Sequence, residues 1–323
     1  MLLEPSALRT AATGSLERTD KPGRVILIHT GAILLISLLL TAADFLLNRQ
    51  ISTTGGLSGM GMRSILTTIQ SMLRLTQAVL LPFWQIGYTY YTLKVAQGKP
   101  AGISDLTEGF RRFGPVLRLK MLMAGMAVLL IFASTYLSSM LFMLTPWAAP
   151  MMQRMEELMA SPMDDQAFLE AIVAMAEDIT VPVMVIFSLC FLAGSIFLFF
   201  RFRLAELWLM DHPQGGALAA LRESRELMRG NQKAMFRIDL NFWWFYLLEV
   251  LVTVLCYGDV VLSTMGVEMT TDAFGSYILF YVLYLCAQLA LYWWKRNEVA
   301  VTYAHAYLTL CPEPVENEKD PVH

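Results

Sequence analysis

A stripe of polar side chains runs along the apolar segment 65–93. Gln70, Arg74 and Gln77 recur there at spacings of four and three, which places them on one face of a helix. A charge at the centre of a bilayer costs at least about 2.5–3.5 kcal/mol on insertion scales, so Arg74 needs a partner, water or a route to the interface. The stripe therefore predicts either contacts that hold helices together or a hydrated cavity for an anionic or polar ligand.

Two other apolar segments carry polar counterparts of this stripe. Glu249 lies within segment 238–260, and Gln288 lies within segment 276–294. With a rise of about 1.5 Å per helical residue, Arg74 and Glu249 reach a similar depth if both segments cross a bilayer, which makes them candidate partners. We expect the three stripes to face one another. The candidate intramembrane polar site comprises Gln70, Arg74, Gln77, Glu249 and Gln288.

Metal and acid–base chemistry have weaker support in the sequence. Glu298 and His305 share a helix face, but two ligands two turns apart are far from a zinc cage. The methionines between residues 151 and 159 have the soft sulfur atoms that copper(I) prefers, and they equally form the apolar side of a surface helix. Asp44 and Asp259 lack any fuller motif of an aspartyl dyad. We therefore expect no cofactor and no enzymatic activity.

The elements that must position these residues are long apolar stretches. The chain is 56% hydrophobic and only 16% charged, and about 20 mostly apolar residues suffice to span a hydrocarbon core. We predict an all-α, polytopic helical membrane protein with six transmembrane helices and amphipathic interfacial helices between them. A cytoplasmic segment 1–24 precedes the membrane domain 25–310, and a disordered tail 311–323 follows it. The predicted spans are 25–47, 65–93, 116–144, 181–200, 238–260 and 276–294.

The positive charges alternate along the chain and predict its orientation. Four Lys and Arg residues precede the first span, six lie in the second loop counted through residue 120, seven in the fourth loop and three after the last span. The first, third and fifth loops carry two, one and none. Because short cytoplasmic loops are enriched in Lys and Arg, both termini are predicted to be cytoplasmic. These charges indicate the lipid bilayer as partner, with anionic lipid at the cytoplasmic loops, and no nucleic acid.

Amphipathic helices are predicted between the spans, near 104–113, 151–179, 217–230 and 297–310. In the third of these, Leu218 and Leu221 are expected on an apolar side, with the charged residues outside. This helix and the turn after it form a candidate cytoplasmic interface for lipid or for protein partners that the sequence does not specify. Its polar residues are Arg222, Arg225, Arg229, Asn231 and Lys233.

Two segments carry a family resemblance. Residues 215–248 read GGALAALRESRELMRGNQKAMFRIDLNFWWFYLL, and the specific part is the Ser-Arg-Glu-Leu-Met-Arg-Gly-Asn run. This stretch resembles the signature of an uncharacterised family of bacterial membrane proteins, domain of unknown function 975 (DUF975). Residues 88–114 are similar to the other recurrent segment of that family, so the resemblance covers most of 25–310. It departs at Ala234-Met235, where bulkier residues are expected. The resemblance implies location in the inner membrane of a bacterium, with both termini cytoplasmic, and it implies the fold. It transfers no catalytic residue.

Two functions follow from these observations. The leading hypothesis is a non-enzymatic membrane protein that organises lipid or binds partner proteins. The alternative is a transporter or permease with a polar intramembrane site around Arg74 and Glu249. The two differ in hydration, because a scaffold tolerates a dry Arg74–Glu249 pair whereas a transporter needs water to reach it from at least one side.

Overall fold

A computed structural model of the protein describes residues 4–53, 60–160, 165–257 and 273–311. Every regular element within these ranges is helical, which confirms the all-α class. Apart from Cys311, the predicted disordered tail 311–323 lies outside the described residues. In chain order the elements are α1 (Pro5–Arg18), α2 (Pro22–Thr53), α3 (Met60–Ala96), a 3₁₀ helix (Ile103–Thr107), α4 (Glu108–Arg111), α5 (Phe113–Met143), α6 (Ala148–Ala160), α7 (Asp165–Phe202), α8 (Ala205–Asp211), α9 (Gly216–Met228), α10 (Gln232–Asn241), α11 (Trp243–Leu255), α12 (Ala273–Leu291), a π-helical turn (Tyr292–Arg296) and α13 (Asn297–Leu310).

Among the described residues, three helical stretches are long and apolar enough to cross a membrane: Pro22–Ala43, Phe113–Met143 and Thr180–Asp211. A fourth arises if Gln232–Asn241 and Trp243–Leu255, which are bent by 65° at their junction, form one broken span. The helices that contain the predicted second and sixth spans, α3 and α12, are not among these stretches. In α3 the polar stripe lowers the hydropathy of an otherwise apolar helix. The architecture is therefore all-helical with three or four candidate spans, fewer than the six predicted.

The chain divides into two compact units, residues 1–117 with 204–323 and residues 118–203. In the second unit, α5 and α7 approach closely at Gly194, where a Cβ atom would lie 2.2 Å from Cδ1 of Leu130. Residues of the predicted extracytoplasmic helix 151–179 are divided between α6 and the first turns of α7, which continues without a break to Phe202. Large apolar side chains on both long helices are exposed, as expected for helices that face lipid.

In the first unit, the segment after α3 folds back onto that helix. A Cβ atom on Gly87 would lie 1.8 Å from the carbonyl oxygen of Leu106, and one on Gly109 would lie 2.0 Å from the carbonyl oxygen of Phe83. These glycines therefore permit backbone contact between α3 and the 3₁₀–α4 segment. The predicted interfacial helix 104–113 is a 3₁₀ helix followed by a single turn of α-helix.

The fourth loop folds into α8 and α9. Glycines with positive φ angles lie at either end of α9, Gly216 at 76° and Gly230 at 85°, a conformation that side chains with a Cβ atom rarely adopt. Ser224 is fully buried, and its hydroxyl accepts a hydrogen bond of 3.1 Å from the backbone N–H of Leu204. Leu218 is 72% exposed, in contrast to the predicted apolar side. Leu218 lies on the exposed side of α9 with the charged residues. The buried side of the helix carries small residues, among them Ala217, Ala220 and Ser224.

The last helix, α13, has the bounds predicted for an interfacial helix, 297–310. It packs against α1 and α3, and its buried residues lie on more than one side. Val301 and Tyr307 are completely buried. α13 is thus part of the core of the first unit, where it joins the N-terminal helix to α3.

Candidate functional site

The predicted intramembrane residues occupy different environments. Gln70 and Gln288 are buried, Gln77 is half-buried, and the side chain of Arg74 is exposed on α3. Within the described residues, Oε1 of Gln288 has no hydrogen-bond partner. The Arg74–Glu249 pair stays a prediction.

Glu249 is joined to the sixth-span stripe. The hydroxyl of Tyr292 donates a hydrogen bond of 2.5 Å to Oε1 of Glu249. This contact connects α11 to the π-helical turn, so the predicted fifth span and the end of the predicted sixth span are in contact at this point. Phe245 packs beside the same tyrosine with ring centroids 6.4 Å apart, which leaves the carboxylate next to an aromatic surface.

Arg296 ends the π-helical turn and was not a predicted site residue. Its guanidinium carbon lies 5.0 Å from the centroid of the Tyr292 ring. Tyr88, Tyr246 and Glu249 are within electrostatic range of this cation. In the sequence, Arg296 is one of three basic residues after the last predicted span. Nothing in the residues Tyr292–Arg296 predicts the π-helical turn that positions it, so sequence reasoning missed this residue.

A buried hydrogen-bonded group lies beside Arg296. The hydroxyl of Tyr88 donates to Oδ1 of Asn297 at 2.8 Å, and Nδ2 of Asn297 donates to the carbonyl oxygen of Pro22 at 2.9 Å. The His29 ring stacks on Tyr88 with centroids 4.3 Å apart, and Nε1 of Trp84 donates to the carbonyl oxygen of His29 at 3.2 Å. These contacts fix α2, α3 and α13 to one another.

The predicted Glu298–His305 metal pair has other partners. Glu298 accepts hydrogen bonds from Arg9 at 2.5 Å and from Lys295 at 2.6 Å. Partial burial favours the neutral acid, but these two cations outweigh it and hold the pKa of Glu298 below its usual range. His305 contacts the hydroxyl of Ser15 through Nε2 at 3.0 Å, and burial lowers the pKa of its imidazole. The described part of the chain contains no group of three or more His, Cys, Asp or Glu residues arranged to hold a metal ion.

A cleft of about 1300 Å³ separates α1 from the turn after α3. Small residues of α1 form one wall, Lys99 lies on the other, and His305 lies at the cleft as well. Arg18 adds a second cation to the lining. The cleft is open to solvent, and its lining is more apolar than polar.

The predicted cytoplasmic interface is an exposed basic surface on two consecutive helices. Arg222 makes an ion pair of 3.6 Å with Glu226, and both side chains are mostly exposed. Asn231 has a structural contact instead, since its Nδ2 donates to the carbonyl oxygen of Leu227 at 2.8 Å. On α10, Phe236 is 50% exposed. We call this surface the basic face, and its members are Leu218, Arg222, Arg225, Arg229, Lys233 and Phe236.

Comparison with known proteins gives one family match. The model of a family described as protein of unknown function, DUF975, matches residues 24–294. The match contains the polar stripes and the basic face, and it ends before Arg296 and α13. No curated protein matches the chain, and no solved structure does.

Proposed function

The chain belongs to the DUF975 family, and we propose that it is a non-enzymatic membrane protein that gathers anionic lipid at its cytoplasmic surface. The basic face is the observation that carries this proposal, because exposed cations and exposed apolar side chains occur together on α9 and α10. Leu218 is 72% exposed and precedes Arg222 and Arg225 by four and seven residues, which places all three on one side of α9.

The combination of charge and apolar area indicates what the basic face contacts. Cations by themselves are stable in water and need no partner. Large apolar side chains beside cations favour a membrane interface, where the apolar groups reach acyl chains and the cations reach phosphates. Each Lys or Arg near an anionic leaflet contributes about 1 kcal/mol. The exposed Glu226, which pairs with Arg222, offsets one of the four cations, so the basic face contributes about 3 kcal/mol.

The proposal includes the six-span arrangement in a bacterial inner membrane, with both termini in the cytoplasm. Helical structure covers the predicted second and sixth spans, with α3 from Met60 to Ala96 and α12 from Ala273 to Leu291 continued by the π-helical turn Tyr292–Arg296. The alternating Lys and Arg content of the loops supports this orientation. In it, α9 and α10 lie against the cytoplasmic leaflet, which carries the anionic lipids.

Transport is the second candidate function, and the buried polar atoms of the predicted stripes favour it. Gln70 and Gln288 are both buried, at 8% and 6% exposure. A buried amide oxygen without a hydrogen-bond partner among the described residues, such as Oε1 of Gln288, is costly unless another group bonds to it. A transporter would place substrate or water at such atoms.

Thiol accessibility along α3 separates the two functions. Single cysteines at Ser71, Gln77 and Ala78, in a variant without the four native cysteines, flank Arg74 without removing it. A membrane-impermeant thiol reagent is then applied from each side. Protection from both sides supports a dry interior and the lipid-organising function, whereas ready labelling favours transport.

The depth of the basic face tests the lipid-organising function itself. A nitroxide attached at Leu218→Cys is expected at the level of the lipid head groups in vesicles that contain phosphatidylglycerol. There it is more accessible to oxygen than to a water-soluble nickel complex. A label at Lys99→Cys, on the turn after α3, serves as the control in water. The proposal is wrong if both labels have the accessibility of a group in bulk water.

A further inference from the structure

We propose that Arg296 is the main ligand of a second site, which binds one anionic oxygen group, a carboxylate or a phosphate, at the cytoplasmic edge of the membrane. Arg296 closes the π-helical turn Tyr292–Arg296, and such turns occur frequently at functional sites. Its guanidinium lies over the Tyr292 ring. Within the described residues, none of its five N–H donors has a hydrogen-bond acceptor.

The neighbouring cations, by contrast, have acceptors of their own. Lys295, the preceding residue, lies 2.6 Å from a carboxylate oxygen of Glu298. Arg9 contacts the other oxygen of the same carboxylate at 2.5 Å. Glu249 is the remaining acid near Arg296, and it accepts the hydroxyl of Tyr292 at 2.5 Å. Both carboxylates are thus engaged, and the guanidinium of Arg296 retains its hydrogen-bonding capacity.

The surroundings of Arg296 are polar and largely buried. Tyr88 and Tyr246 are within electrostatic range of it. His29 stacks on Tyr88, is 2% exposed, and has no hydrogen-bond partner for Nδ1 among the described residues. Charged groups in such places are normally paired, because removing them from water is costly. A bound anion would supply the acceptor that Arg296 lacks.

The chemistry of the guanidinium defines the ligand class. Its planar arrangement of donors matches the two oxygens of a carboxylate or phosphate, and these charge-assisted bonds are about twice as strong as neutral ones. Arg296 follows the predicted sixth span, which ends at residue 294, and Tyr88 lies near the predicted cytoplasmic end of the second. The anion is therefore reachable as a lipid head group from the membrane or as a free anion from the cytoplasm.

A titration with two probes distinguishes these sources. The full-length protein in a neutral detergent is titrated with inorganic phosphate and, separately, with dihexanoyl phosphatidylglycerol, and the thermal unfolding midpoint is recorded. The unfolding midpoint of the wild-type protein is expected to rise with the concentration of at least one probe and to reach a plateau. Arg296→Gln is expected to weaken the apparent affinity by at least about tenfold, while Arg18→Gln, an exposed control on α1, leaves it unchanged. A response to the lipid alone assigns the anion to the membrane, and a response to phosphate alone assigns it to the cytoplasm.

A second variant tests whether the weaker binding of Arg296→Gln could result from loss of folding. Glu249→Gln removes the negative charge nearest to Arg296 and leaves an amide oxygen that accepts the Tyr292 hydroxyl. It is expected to tighten binding of the effective probe several-fold, which a damaged fold would not do. The inference is overturned if neither probe binds saturably, if Arg296→Gln binds as well as wild type, or if Glu249→Gln weakens binding.

Discussion

Tyr88 and Asn297 lie 209 positions apart in the chain, and the tyrosine hydroxyl donates a buried hydrogen bond of 2.8 Å to the amide oxygen of Asn297. The same asparagine donates to the carbonyl oxygen of Pro22. One side chain therefore joins the first residues of α2, the end of α3 and the start of α13. Arg296, the residue before it, is positioned by the same contacts.

Loss of the Asn297 side chain should loosen this junction. Asn297→Ala leaves the Tyr88 hydroxyl and the Pro22 carbonyl without their partner, and each unsatisfied buried group costs about 1–3 kcal/mol. We expect a clear fall in the thermal unfolding midpoint in detergent. Gln214→Ala, an exposed position in the turn before α9, is the matched control and should leave the midpoint unchanged. Equal midpoints for the two variants would contradict this role.

The close approach at Gly109 predicts a strong glycine requirement. Gly109→Ala would place a methyl group 2.0 Å from the Phe83 carbonyl oxygen, so the backbones of α3 and α4 must separate, at a cost of about 1–3 kcal/mol or more. Gly102→Ala is the control, because no atom lies within 4 Å of its added Cβ atom. Chemical denaturation of both variants measures the difference, and a Gly109→Ala protein as stable as the control would disprove the contact.

Acidification should release α1 from α13. The pKa values of Glu298 and His305 are both below their ordinary values in the folded protein. For such groups the unfolded state binds more protons, so stability is full above the unfolded pKa and is lost as the pH falls. His305 acts first, below about pH 6.5, and Glu298 follows below about pH 4.3.

A nitroxide at Ala11→Cys, an exposed position of α1, reports this release as increased mobility at low pH. Glu298→Gln removes the charge that binds Arg9 and is expected to raise the mobility of the same label at neutral pH. An immobile label throughout the acid range would show that other contacts of α1 hold it in place.

The six-span arrangement predicts opposite sides for the third and fourth loops. Gln153→Cys on α6 should react with an impermeant thiol reagent in intact cells, and Glu223→Cys on α9 should react only after permeabilisation. The background is again the variant without native cysteines. Labelling of both positions from the same side would rule out the proposed orientation.

The sequence was sufficient for the helical class and for several helix bounds. The predicted third span, 116–144, differs little from α5 at Phe113–Met143, because a long apolar run bounded by Pro and polar residues leaves few alternatives. The prediction for 297–310 coincides with α13. Its burial on several sides was not predictable, since hydrophobic periodicity shows one apolar face but not how many partners surround a helix.

The contacts of the polar residues were less accessible to prediction. Equal depth predicts Arg74 as a partner of Glu249, and that pair stays a prediction, but the hydrogen bond from Tyr292 to this carboxylate was not predicted. Depth is a single coordinate, and the rotation of each helix about its axis decides which side chains meet. The π-helical turn changes that rotation for Arg296, so the sequence spacing could not place this residue. Leu218 was misplaced for a related reason, because small residues rather than large ones make the closest contacts of α9.

Lipid retained by the protein is the most direct measure of the central claim. Membrane patches are extracted with a styrene–maleic acid copolymer, and the ratio of phosphatidylglycerol to phosphatidylethanolamine is determined for wild type and two triple variants. The first, Arg222→Gln with Arg225→Gln and Arg229→Gln, removes three cations of the basic face. The second, Arg49→Gln with Arg63→Gln and Arg154→Gln, removes the same charge from the predicted extracytoplasmic loops.

At about 1 kcal/mol per cation, the first triple variant should lose its enrichment in phosphatidylglycerol, while the second keeps the wild-type ratio. A wild-type protein whose retained lipid matches the bulk membrane, or two variants that lose enrichment equally, would contradict the function proposed for the basic face.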